Sequence, residues 1–190
     1  GNGQTHTHAG DIQAASSFTG TGIVVNGSIA AGNADGDSEF GIITSAANSS
    51  ATLNSIQDIN GTVTVSGALT VNLVSDGSNA APDADGQVTG LVDVNNGGSF
   101  TLSSNDTATT LTAGATVNDG GSFTAGSNLG SGAAMIVGDG TQAAAATFDL
   151  NGKTFTTGAF TFTVNASTGA TAPGFGTSGT LSVAAGGSIV

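Results

Sequence analysis

Asn33, Asp35, Asp37 and Glu39 carry a side-chain oxygen at every second position of a glycine-containing loop. Oxygens at i, i+2, i+4 and i+6 can converge on one Ca²⁺ at about 2.3–2.6 Å, the chemistry of a hard cation. Asp83 and Asp85, ahead of Gly86, offer a weaker second calcium candidate. Neither loop follows the EF-hand spacing, because Phe40 stands where that loop needs glycine and no glutamate closes it. The plain alternative for both is a solvated acidic turn. His6 and His8 lie two residues apart, so an extended chain puts both on one face. That pair suits Zn²⁺ or Cu²⁺, but no third ligand stands nearby, and a surface role is the simpler reading. Lys153 is the only lysine and there is no arginine. A lysine can crosslink to an Asn or Asp side chain when buried beside a carboxylic acid, but Asn151-Gly152-Lys153-Thr154 reads as a turn with a solvated ammonium.

The same shortage of cations excludes whole classes of function. Thirteen acidic residues against one lysine give a formal charge of −12. Phosphate clamps and anion catalysis need Arg or Lys, and nucleic acid rewards them, so neither phosphoryl chemistry nor nucleic-acid binding is expected. The acids cluster in turns, so a pair of carboxylates facing across a cleft, as a glycosidase requires, is not expected either. No enzyme activity is predicted. Trp, Tyr and Cys are absent, which removes disulfides, thiolate metal sites and the aromatic platforms that usually sit beneath sugars. No stretch reaches the ~18 apolar residues of a membrane helix. A chain opening Gly1-Asn2-Gly3, with Met135 as its only methionine, is expected to be a processed or trimmed product.

The elements that carry these residues read as short strands. Thr62-Val63-Thr64-Val65, Leu69-Thr70-Val71-Asn72-Leu73, Phe160-Thr161-Phe162-Thr163-Val164 and Thr180-Leu181-Ser182-Val183 alternate apolar and polar side chains with period two. Gly, Asn and Asp punctuate them as turns require. The strongest helical hint is one turn over 142–146. Val94-Asn95-Asn96-Gly97-Gly98-Ser99-Phe100-Thr101 returns 23 residues later as Val117-Asn118-Asp119-Gly120-Gly121-Ser122-Phe123-Thr124, with one residue changed. Looser echoes are Asn26-Gly27-Ser28-Ile29, Ser66-Gly67-Ala68-Leu69, Leu150-Asn151-Gly152-Lys153-Thr154-Phe155 and Val183-Ala184-Ala185-Gly186-Gly187-Ser188-Ile189.

A repeat of this length predicts an all-β parallel solenoid, or β-helix, with rungs of about 23 residues, in which each inward residue stacks on its counterpart in the next rung. Six to eight rungs at about 4.8 Å each are expected. A β-sandwich with look-alike hairpins is the alternative. Residues 1–20 read as an extended arm or linker and 21–190 as a single β domain, with loops inserted over 30–40 and 75–87. Thr62/Thr64 and Thr161/Thr163 resemble fragments of a flat ice-binding face, but such a face needs threonines on successive rungs, and these read as sporadic.

Runs such as Asn60-Gly61-Thr62-Val63-Thr64-Val65-Ser66-Gly67-Ala68-Leu69-Thr70-Val71, and Asp149-Leu150-Asn151-Gly152-Lys153-Thr154-Phe155, resemble the passenger segments of bacterial autotransporters and related surface solenoids. The resemblance covers about residues 50–190 and is one of repeat texture. It implies a bacterial protein at the cell surface or outside the cell, serving adhesion or structure. A solenoid also has two open ends, each a row of unpaired backbone groups that polar caps, lysines or prolines normally block. Here Lys153, Pro82 and Pro173 are the only such residues, and Ser188-Ile189-Val190 is apolar and strand-like. The expectation is a homopolymer, a filament or matrix built by strand pairing between copies. Its rivals are a monomeric adhesin or stalk domain that binds glycans or a host surface, and a calcium-dependent tile of a surface layer.

Overall fold

In the computed structural model, period-two alternation resolves into twenty-two short strands, with no helix among the described residues. The structure describes residues 5–8, 12, 15–27, 39–74, 86–105, 109–169, 171–174, 180–183 and 188–189. All strand pairs are parallel, in three sheets. The first sheet holds β1 (Thr5–His8), β3 (Ile23–Gly27), β6 (Ser50–Ile56), β9 (Ala68–Leu73), β12 (Ser99–Ser104), β15 (Ser122–Ala125) and β18 (Thr147–Asp149). The second holds β4 (Glu39–Phe40), β7 (Asp58–Ile59), β10 (Gln87–Val88), β13 (Thr109–Leu111), β16 (Leu129–Ser131), β19 (Thr154–Thr157) and β21 (Thr180–Val183). The third holds β2 (Ser16–Phe18), β5 (Ile43–Ser45), β8 (Val63–Val65), β11 (Val92–Val94), β14 (Ala115–Val117), β17 (Met135–Val137), β20 (Thr161–Val164) and β22 (Ser188–Ile189).

The chain visits the three sheets in turn, so three strands make one rung of a three-sided parallel solenoid. The eight strands of the third sheet count eight rungs. At about 4.8 Å per rung the stack is roughly 34 Å tall. The eight-residue repeat is one rung step: Val94 pairs with Val117, Ser99 with Ser122, Phe100 with Phe123 and Thr101 with Thr124. The step is not constant. It runs from 18 residues, Ser50 to Ala68, up to 31, Ala68 to Ser99. Most of the two expected insertions, residues 28–38 and 75–85, lies outside the described residues, in the intervals from β3 to β4 and from β9 to β10, while one extra residue is taken up as a bulge at Ser55 in β6.

Inward side chains stack in columns. One column on the third sheet runs Ile43, Val63, Val92, Ala115, Met135, Phe162 and Ile189. All but the last are buried. Phe100, Phe123 and Phe148 stack with ring centroids 5.0 and 5.3 Å apart. In the seventh rung Phe148, Phe155 and Phe162 arrive from the three faces and meet in the centre, at centroid distances of 5.1–6.1 Å. Close packing of columns demands corners without side chains. A Cβ on Gly90 would stand 2.2 Å from the Gly61 backbone of the rung before it. Gly97 and Gly120, equivalent positions of the repeat, both have φ of +77°, the left-handed region open to glycine.

Several expectations change. Described parts of residues 1–20, expected as an arm, instead pair into the first rung: β1 along β3, Ile12 against Phe40, and β2 along β5. Phe160 was expected to share the inward face of Phe162. It lies on the corner before β20 and is 45% exposed, because the bend at Ala159–Phe160 turns it outward. No helical turn forms over 142–146, which is a bent corner insertion.

Candidate functional site: the ends and the outer rows

Among the described residues, core positions in the first and last rungs have a paired rung on one side only. In the last rung, Leu181 pairs with Phe155, Val183 with Thr157 and Ile189 with Phe162, so all three continue inward columns. Yet Val183 is 39% and Ile189 52% exposed. Among the described residues nothing pairs with the outer edges of β21 and β22. At the opposite end, no described residue pairs with the outer edges of β1 and β2. There a cavity of about 400 Å³ opens among Ile12, Phe18, Ile23, Val25 and Phe40, with His6 at its wall. His6 is in register with Val25, an inward position, and is exposed because its rung is the outermost. Among the described residues, one end thus combines unpaired strand edges with exposed Val183 and Ile189 and the other combines them with an apolar cavity, the arrangement that invites edge-to-edge association.

The outer rows are regular. On the first sheet, Thr52, Thr70, Thr101 and Thr124 occupy one row on four successive rungs. Thr64 and Thr163 lie on the third sheet, in a row broken by Asp93 and Ile136, so those threonines are sporadic as expected, and the regular row is a different one. The irregular step of 18 to 31 residues hides the row from any fixed-period reading. Beside it runs a ladder of amides. Asn54 donates from Nδ2 to Asn26 Oδ1 at 3.1 Å, Asn72 donates to Asn54 Oδ1 at 2.7 Å, and the Ser103 hydroxyl donates to Asn72 Oδ1. Asparagine ladders of this kind are recurrent supports of stacked parallel strands.

Of the calcium candidates, Asn33, Asp35, Asp37, Asp83 and Asp85 lie outside the described residues. Glu39 is placed on β4, where its Oε2 accepts a hydrogen bond from Asn60 Nδ2 at 2.6 Å. It is in register with Asp58, whose Oδ1 accepts the Gln87 amide at 2.9 Å. Lys153 is half-buried at the corner between β18 and β19. Among the described residues no group of three or more His, Cys, Asp or Glu gathers to hold a metal ion. Sequence reasoning passed over a pair of carboxylates, Asp119 and Asp139, brought together where the insertion after β17 folds back on the preceding rung. Hydrogen bonds from Thr141, the side chain foremost, hold the Asp139 carboxyl below the usual carboxylate value. The one signal for this pair was the Asn-to-Asp change at Asp119 within the repeat.

No family model, no curated protein and no solved structure matches this chain.

Proposed function

We propose that this chain is a non-catalytic structural protein of the bacterial surface or exterior, which assembles with copies of itself into a filament or matrix by pairing strands end to end. The observation that carries the reading is the exposure of Val183 and Ile189 on strands whose outer edges no described residue pairs, together with an apolar cavity at the opposite end of the stack. Stacking one copy on another continues the same columns and the same backbone ladder, and a head-to-tail contact of this kind does not close. The charge of −12, spread over a chain with one lysine, keeps lateral contacts repulsive while the ends attract.

The test is assembly of the purified chain, followed by light scattering and negative-stain electron microscopy across a concentration series. Filaments or sheets are expected from the parent chain. Ile189→Lys, which sets a charge on the edge strand β22, should keep it monomeric without changing its far-UV circular dichroism. A parent chain that stays monomeric at high concentration defeats the proposal.

The threonine row favours a second reading, that the first sheet presents a flat hydroxyl grid to a crystalline surface such as ice. Rungs about 4.8 Å apart and alternate residues about 6.6 Å apart set the grid. Inhibition of ice recrystallisation by dispersed monomer, abolished by Thr70→Lys, is the expected result. Equal inhibition by the variant rules this reading out.

A further inference from the structure

The two copies of the repeat differ only at Asn96 and Asp119. The turn is the same in both: Gly98 donates to the Asn95 carbonyl at 2.9 Å and Gly121 to that of Asn118 at 2.8 Å. An amide serves that turn as well as a carboxylate, so the charge of Asp119 has no part in making it. What differs is the cover. Asn96 is exposed, whereas Asp119 is fully buried beneath the insertion between β17 and β18.

The buried carboxylate is only half satisfied. Its Oδ2 accepts the Gln142 amide at 3.1 Å, while its Oδ1 is buried with no hydrogen-bond partner. The insertion that buries it also supplies a second carboxylate. Asp139 Oδ1 accepts the Thr141 amide at 3.1 Å and the Asp119 amide at 3.4 Å, and its Oδ2 accepts the Thr141 hydroxyl at 2.7 Å. Asp119, Asp139, Asn95, Asn96 and Asn118 share one cleft of about 390 Å³. The Asn96 Oδ1 lies 2.7 Å from where a Cβ on Gly120 would be, which sets an amide oxygen beside Asp119. Lys153, the only lysine, is at a different corner. A carboxylate oxygen without a donor is costly to bury unless a cation meets it.

We propose that Asp119 and Asp139 hold one calcium-sized divalent cation in this cleft, with neighbouring amide oxygens and water completing an all-oxygen shell. Two carboxylates with neutral oxygens are hard ligands suited to Ca²⁺. Mg²⁺ fits less well, because it gives up its water reluctantly and demands an octahedron, while a buried Oδ1 requires partial dehydration. The cation pins the insertion onto the sixth rung. This site is independent of assembly at the ends.

The experiment is calorimetric titration of the chelator-stripped full chain with CaCl2, and separately with MgCl2. Calcium should bind with Kd of roughly 10⁻⁴–10⁻³ M, the weak end of protein calcium sites, as a low ligand charge count implies. Asp119→Asn and Asp139→Asn should each remove one equivalent or weaken it at least about tenfold. Asp35→Asn combined with Asp37→Asn should leave that equivalent in place, which separates this cleft from the acidic loop. Asp139 is exposed, so its variant folds even where Asp119→Asn does not, and far-UV circular dichroism confirms it. Calcium uptake unchanged in Asp139→Asn, or no uptake by the parent chain up to about tenfold above the upper Kd, overturns the proposal.

Discussion

Replacing Phe123 with alanine tests whether stacked columns hold the solenoid together. Phe123 is fully buried in the sixth rung, with Phe100 on one side at 5.0 Å and Phe148 on the other at 5.3 Å. Phe→Ala in a core costs about 3–5 kcal/mol, and more where the surroundings cannot collapse. Here the neighbouring rings are fixed by parallel ladders on both sides of β15, so the cavity stays open. Loss of two ring contacts, worth about 0.5–1.5 kcal/mol each, also points to the upper part of the range, about 4–5 kcal/mol. With a urea m-value of about 2.5 kcal/mol/M, the midpoint should fall by roughly 1.5–2 M. Tryptophan and tyrosine are absent, so the assay is far-UV circular dichroism. Because each rung contacts only its neighbours, the transition should also broaden as the two halves uncouple. Phe160→Ala, at an exposed position, should change stability by less than about 0.5 kcal/mol. A midpoint shift below about 0.5 M for Phe123→Ala would refute the column argument, given the same m-value.

Gly90→Ala should destabilise by about 3 kcal/mol, the upper end of overpacking costs, in the same assay, because the new methyl meets the backbone of Gly61 at 2.2 Å. Thr157→Val should raise stability by about 1 kcal/mol. The Thr157 hydroxyl is buried without a partner, and valine keeps its shape while removing the unsatisfied group. An unchanged or lower urea midpoint for Thr157→Val contradicts that account.

Much of the architecture was legible in the residues. Val63/Val65 and Leu69/Val71/Leu73 alternate as buried strand positions should, and the repeat at Val94 and Val117 is a true rung step. Its chemistry, however, does not say which corner it belongs to. Val183 ends a second-sheet strand and Ser188 opens a third-sheet one, whereas Val94 and Ser99 flank the corner from third sheet to first. All three corners need the same small, turn-forming residues, so sequence alone cannot phase them. The outer rows were hidden for a related reason. Thr52, Thr70, Thr101 and Thr124 are separated by 18, 31 and 23 residues, and only the backbone pairing shows them as neighbours. Asp119 was illegible because its burial depends on an insertion about twenty residues downstream.

The unequal steps between rungs have a practical corollary. Thirteen additional residues between one pair of rungs, against the shortest step, leave the Ser50–Ala68–Ser99 register intact. A single residue added inside a strand is tolerated only as a bulge, as at Ser55 between Asn54 and Ile56 of β6; otherwise it turns the core side chains beyond it to the solvent. The bends are therefore natural graft points, where foreign peptides can be spliced in and displayed at set heights along the rod while its sheets carry on undisturbed.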